Sequence, residues 1–168
     1  MKVFVTGASG YIGGSVAAHL VDAGHRVSGL ARSAETTRAL KKLGISPVPG
    51  TLDDAEILVR AAQDADAVID CANAAHCAAA EALLQGLAGS GKPFIHTSGS
   101  SIVGTRAGGD LCEDVFDEDT PFTPSPARAG RVAIGRMLGF GRACRAGSRP
   151  PCAAGTGRGA PACRGRAP

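Results

Sequence analysis

The sequence predicts a doubly wound α/β fold, a parallel sheet covered by helices on both faces. Three observations predict it. Over the first hundred of its 168 residues, short apolar runs alternate with single helical stretches, and strands separated by one helix each call for parallel pairing through crossovers. The apolar runs lack a clean in–out alternation, which fits strands buried on both sides. A glycine-rich block, Gly7-Ala8-Ser9-Gly10-Tyr11-Ile12-Gly13, joins the first apolar run to the first helical one.

Taken in order, Lys2–Thr6 reads as the first strand. Tyr11–Ala23 reads as a helix, with Gly24 placed to end it. Arg26–Ala31 is the second strand. Ser33–Leu43 is helical, with Ser33 a natural N-cap and Gly44 a stop. Ile45–Val48 is a short third strand, and Asp53 or Asp54 caps a helix running to about Gln63. Ala67–Ala72 is a fourth strand, apolar except for Asp70; Ala74–Leu87 is an Ala-rich helix; Pro93–Thr97 is a fifth strand. After Ser98 the pattern changes. Gly99–Pro126 is polar and turn-rich, and its acidic residues, Glu113 to Asp119, read as a solvated loop rather than a metal site. A last helix is expected from Ala127 to about Leu138.

The glycine block carries the functional signal. A strand delivers the chain to a tight turn, glycines let backbone approach a ligand, and the following helix aims free N–H groups and the positive end of its dipole at an anion. That strand–glycine–helix context suits the pyrophosphate of a dinucleotide. Gly7, Gly10 and Gly13 show no packing reason of their own in the sequence, so all three are assigned to ligand approach.

Composition bounds the rest. Only 4% of the residues are aromatic and there is no Trp, so the core must be aliphatic. No apolar run approaches a membrane span, and the first residues enter a strand rather than a leader; a soluble, cytoplasmic protein without a membrane partner is expected. The six cysteines show no CxxC or zinc spacing and are expected to be free thiols, with no metal bound. Residues 1–119 hold all 15 acidic residues against 9 basic ones, whereas residues 120–168 hold nine Arg and no acid. From Arg136 onward the chain is almost entirely Arg, Gly, Ala, Pro and Cys, a composition that cannot offset chain entropy by burial, so disorder is expected there. The tail lacks Lys and has one aromatic residue, Phe140, for base stacking, which argues against a nucleic-acid arm.

Residues 1–134 resemble the extended and atypical short-chain dehydrogenase/reductase superfamily, in its NAD(P)-dependent epimerase/dehydratase-like branch. The resemblance is carried by Thr6-Gly7-Ala8-Ser9-Gly10-Tyr11-Ile12-Gly13, by Asp53 after Gly50-Thr51-Leu52, by Cys71-Ala72-Asn73-Ala74 after the fourth strand, by Phe94-Ile95-His96-Thr97-Ser98-Gly99-Ser100-Ser101-Ile102-Val103-Gly104, and by Asp117-Glu118-Asp119-Thr120-Pro121. It implies a Rossmann-type sheet whose cofactor is held by residues 7–13. It also implies that Asp53 lies near the adenine, that Ala72 and Ala74 pass the cofactor ribose, and that the active-site serine segment supplies Ser98 and Ser100. The expected domain is 1–134, with a basic low-complexity tail at 135–168. An extended member needs a further substrate lobe, so the chain reads as truncated, and the abrupt composition of the tail reads as translation out of frame from near residue 135.

Cofactor choice follows from charge. An acid at the end of the second strand would accept from the ribose hydroxyls of NAD and repel the extra phosphate of NADP. Here that strand ends in Ala31-Arg32-Ser33. A guanidinium can bind a phosphate through paired hydrogen bonds, with Ser33 as a helper, so NADP is favoured over NAD.

Members of this superfamily commonly use a Tyr and a Lys four residues later. The single Tyr here is Tyr11, in the glycine block, and the expected positions fall near Ala127 and Arg131. Arg131 cannot serve as an acid or base near neutral pH. His96, inside a strand, reads as structural rather than as a base. The resemblance therefore implies an oxidoreductase or epimerase-like protein acting on a small carbonyl, alcohol or sugar-like substrate. The alternatives are a non-catalytic NADP-binding module and an inactive truncated fragment. Pairing into a homodimer, as in many relatives, is left open by the sequence.

Overall fold

The computed structural model describes residues 1–99 and 125–139 and the isolated positions 102, 108, 110, 111, 113 and 115. In chain order the elements are β1 (Lys2–Thr6), α1 (Tyr11–Asp22), β2 (Arg26–Ala31), α2 (Ala34–Lys42), β3 (Ser46–Pro49), α3 (Ala55–Asp64), β4 (Ala67–Asp70), α4 (Cys77–Leu87), β5 (Phe94–His96), a 3-10 turn (Pro126–Arg128) and α5 (Ala129–Met137). The five strands form one sheet in the order β3-β2-β1-β4-β5, parallel throughout. This is the expected Rossmann-type doubly wound fold.

The strand order explains where a ligand can sit. From β1 the chain steps outward to β2 and β3, then returns to the other side of β1 for β4 and β5. The loops leaving β1 and β4 therefore part in opposite directions and open a crevice at the carboxyl ends of the strands.

Alternation along β1 divides the core in two. Val3 and Val5 join Ala17, Val27, Leu40 and Ile45 on the α1/α2 face. Phe4, fully buried between them in sequence, joins Leu58, Ala62, Val68, Leu83 and Leu87 on the α3/α4 face. At Gly86 of α4 a Cβ would lie 2.5 Å from the Val59 carbonyl oxygen, so α3 and α4 approach backbone to backbone.

Two boundaries differ from the sequence expectation for identifiable reasons. β4 stops at Asp70 rather than Ala72, because the amides of Cys71 and Ala72 turn away to donate to Thr6 Oγ1, both at 3.2 Å. α4 begins at Cys77 rather than Ala74: Asn73 Oδ1 accepts from the Ala75 amide at 3.0 Å, and His76 Nδ1 caps the helix by accepting from Ala79 N at 3.1 Å. α5 packs on the loop before α4, where a Cβ at Gly130 would sit 2.6 Å from the Ala75 carbonyl.

The expectation of free thiols holds for Cys71. It fails for Cys77, which is disulfide-bonded. Among the described residues no helix is long and apolar enough to cross a membrane, and no cluster of His, Cys, Asp and Glu could hold a metal. Ser100, the stretch from Asp117 to Pro121 and the basic tail beyond Gly139 lie outside the described residues.

Candidate functional site

A cleft of about 570 Å³ lies at the carboxyl ends of β1 to β4. Each strand contributes the loop that leaves it: Gly7, Ser9 and Gly10 after β1, Leu30 and Arg32 at the end of β2, Gly50 to Asp53 after β3, and Cys71 to Asn73 after β4. Thr36 of α2 and His76 complete the wall.

The floor is the glycine turn. Gly7 has φ +69°, a conformation that side chains disfavour, and a Cβ there would stand 2.9 Å from the Ala72 backbone. Gly10 donates its amide to the Gly7 carbonyl at 2.8 Å and forms the N-cap of α1, with no side chain capping the helix. The first-turn amides of α1 are thus left for a ligand. At Gly13 a Cβ would lie 2.3 Å from Gly7 O. The glycines at 7 and 13 consequently have packing reasons that their spacing alone did not disclose: one lets β1 pass β4, the other lets α1 sit against the turn. Ala8 is fully buried beneath the loop, while Tyr11 and Ile12 are exposed, Tyr11 92% so. What these residues offer the cleft is backbone.

Arg32 stands exposed just past β2 on the cleft wall. Ser33 beside it caps α2: its Oγ accepts from Thr36 N at 3.1 Å and meets Thr36 Oγ1 at 3.0 Å. Ser33 is absent from the cleft lining, and Thr36, not singled out in the sequence, is present.

Across the cleft, Asp53 points an 87% exposed side chain outward and accepts from His76 Nε2 at 3.2 Å. Its neighbour Asp54 faces back along the loop, accepting from the Thr51 amide at 2.7 Å and the Thr51 hydroxyl at 2.9 Å. Those two donors, the amide first, hold the Asp54 carboxyl below its ordinary value. Ala72 lines the cleft and Ala74, half-buried, does not.

Beneath the β1/β4 crevice runs a polar row. Thr6, Asp70 and His96 stand side by side in register on β1, β4 and β5. Thr6 Oγ1 donates to Asp70 Oδ1, and His96 Nδ1 donates to Asp70 Oδ2 at 2.8 Å, with both partners of the second contact almost fully buried. Among the described residues His96 Nε2 is the one buried side-chain nitrogen or oxygen without a partner. Beside the row, Cys71 Sγ lies 3.2 Å from Thr97 Oγ1. Ser98 is exposed beyond the end of β5, apart from the cleft lining. Arg131 lies in α5.

Comparison with known proteins agrees with this geometry. The chain is 39% identical over 134 residues to an uncharacterized protein of Saccharomyces cerevisiae, covering 71% of this chain and 44% of that one. It is 30% identical over 168 residues to an uncharacterized protein of Schizosaccharomyces pombe, covering 94% of this chain and 56% of that one. The chain thus spans about half the length of these relatives. A shorter match, 37% identical over 71 residues, covers 42% of this chain and 22% of the decarboxylating sterol-4-alpha-carboxylate 3-dehydrogenase of Dictyostelium discoideum. Among solved structures, gox2253 superposes with a TM-score of 0.56 at 25% identity, over 73% of this chain and 40% of that one. The resemblance to NAD(P)-dependent extended short-chain dehydrogenase/reductases is borne out. Residues 1–98 match the NmrA-like family, and the chain belongs to it.

Proposed function

We propose that the chain binds NADP(H) in the cleft and serves a reductase or epimerase-like reaction on a small carbonyl, alcohol or sugar-like substrate. One observation carries the reading: an uncapped helix N-terminus opens behind a close-packed glycine turn at the point where the strand order reverses. A pyrophosphate fits there, because the amides opening α1 have no capping side chain to compete with it.

In this reading the backbone from Gly7 to Gly13 holds the pyrophosphate. Arg32 takes the 2′-phosphate of the adenosine ribose by paired hydrogen bonds, and Thr36 offers a hydroxyl beside it. Ser33 caps α2 beside them. Asp53 meets the adenine, and the backbone from Ala72 to Ala74 runs along the nicotinamide ribose. Ser98 and Ser100 supply hydroxyls to orient a substrate oxygen. When bound, the nicotinamide supplies hydride transfer, and the protein supplies binding and orientation.

A second reading has its own support. The only tyrosine, Tyr11, is exposed on α1, and the position that the superfamily resemblance assigns to an acid–base Tyr falls near Ala127. A module that binds NADPH without turnover is the reading this favours.

Thermal-shift measurements with NADPH and NADH, combined with turnover assays on a carbonyl panel, separate the cases. Stabilisation by NADPH with turnover supports the enzyme, and stabilisation without turnover supports the module. No stabilisation by either nucleotide contradicts both.

A further inference from the structure

A second cleft, of about 470 Å³, opens at the amino ends of β1 to β3, at the opposite end of the sheet from the glycine turn. Alternation and register place four polar residues on one sheet face there. Val3 and Val27 belong to the α1/α2 core, so Lys2 and Arg26 face the α3 side, where they stand in register with each other. Ser28 and Ser46 share that face and are likewise in register. Phe4, beside Ser28, is fully buried under α3, whereas Ser28 is half-buried and Ser46 exposed. The cover of α3 thus ends over β1 and leaves β2 and β3 open. Ala61 and Asp64 of α3, with Ala65 just after it, form the facing wall, and Val48 of β3 extends the floor.

Like charges side by side on a sheet repel each other unless an anion joins them. Among the described residues neither Lys2 nor Arg26 has an ion pair, and neither the Ser28 nor the Ser46 hydroxyl has a hydrogen-bond partner. Asp64 lines the cleft without closing on either cation. Asp66 is engaged by the Lys2 amide at 2.7 Å. That amide first, then the terminal ammonium, Lys2 and Lys92, hold its carboxyl below the ordinary value. Lys92 Nζ also donates to the Gln63 carbonyl at 2.7 Å, which offsets the negative end of α3. Two carboxylates therefore face four cationic groups, the ammonium, Lys2, Arg26 and Lys92, and the local balance is positive.

We propose that this cleft binds a small organic monocarboxylate with a short apolar chain. Arg26 takes the carboxylate in its planar fork, Lys2 adds charge, and Ser28 and Ser46 donate their hydroxyl hydrogens. The apolar chain lies along Val48, Ala61 and Ala65. Asp64 opposes a second negative charge, so a phosphate monoester is disfavoured against a carboxylate. The cleft shares no lining residue with the dinucleotide cleft, and the proposal is independent of that reading.

The test titrates the isotope-labelled full chain with hexanoate, with its neutral amide hexanamide and with hexyl phosphate, at low ionic strength where screening is least. Backbone amide resonances report where each binds. Hexanoate should bind saturably and shift Ser28, Ser46 and Ala65 most. Hexanamide should bind roughly tenfold more weakly, the scale of one charge-assisted hydrogen bond. Lys2 and Arg26 are exposed, so Arg26→Gln and Lys2→Gln should fold, weaken hexanoate by roughly tenfold each, and leave hexanamide unchanged. Unchanged hexanoate affinity in both folded variants would overturn the proposal. The wild-type comparison decides the matter even where a variant fails to fold. Equal affinity for hexanoate and hexanamide would reduce the cleft to an apolar groove, and tighter binding of hexyl phosphate would reject the carboxylate; either result overturns the proposal. So does wild-type protein that shows no saturable shift with hexanoate, or shifts that fall away from the three named amides.

Discussion

Thr6 and Asp70 face each other across β1 and β4 and share a buried hydrogen bond, the Thr6 hydroxyl donating to the carboxylate. The same hydroxyl oxygen accepts from the Cys71 and Ala72 amides. One side chain therefore fixes both the end of β4 and the direction in which the chain leaves it, which is the wall of the crevice. Asp70 accepts a second time from His96, so the row extends across three strands.

Thr6→Val keeps the shape and removes all three hydrogen bonds. The Cys71 amide keeps the Thr6 carbonyl at 3.3 Å, but leaving a buried carboxylate lone pair and the Ala72 amide without their partner should cost about 1–3 kcal/mol. Chemical denaturation of wild type, Thr6→Val and Thr6→Ser measures this. Thr6→Ser should recover most of the loss, and a Thr6→Val variant as stable as wild type would show that the row does not hold the crevice.

Arg32→Ala should weaken NADPH binding by roughly tenfold or more, the effect of losing a charge-assisted pair of hydrogen bonds. NADH, which lacks the extra phosphate, should lose far less. Calorimetric titration of both nucleotides checks it. Equal losses would mean that Arg32 does not read that phosphate.

Ser33→Ala removes the α2 cap seen at Thr36 N and should cost about 1 kcal/mol of stability. Because Ser33 is outside the cleft lining, the ratio of NADPH to NADH affinity should change little. Denaturation curves and the same titrations read the two effects separately.

Asp54 predicts a pH dependence. Hydrogen bonds from the Thr51 amide and hydroxyl lower its pKa below the ordinary 3.8. A carboxyl whose folded pKa is depressed binds fewer protons folded than unfolded, so its stabilising contribution is fully present above 3.8 and is lost as pH falls through the lower folded value. The stability difference between wild type and Asp54→Asn, followed from pH 7 into acid, should hold constant and then shrink below that point. A difference that grew in acid would contradict the assignment.

Much of this arrangement was legible in the sequence, because local pattern carried it. The alternation of apolar runs and helices predicted five strands, and the glycine block marked the turn that became the cleft floor. Ser33 was recognisable as a cap from its place before a helix. What pattern could not carry was register. Thr6, Asp70 and His96 are 64 and 26 residues apart in sequence and meet only because β1, β4 and β5 are neighbours with matched ends. Thr36 and His76 reached the cleft for a similar reason: each sits at a helix start whose position depends on a side-chain cap, Ser33 for one and His76 itself for the other. The late start of α4 was hidden because Ala74 to Ala80, rich in alanine, favours helix by propensity, while Asn73 and His76 impose a turn through side-chain hydrogen bonds.

The central claim is that the backbone opening α1 holds a pyrophosphate. Titrating isotope-labelled protein with NADPH while following backbone amide resonances tests it most directly. The account predicts that the largest shifts fall at Gly10, Tyr11, Ile12 and Gly13 and vanish when Gly10 is replaced by Val. Saturable binding that leaves those four amides unmoved, or that survives the Gly10→Val replacement undiminished, would contradict it.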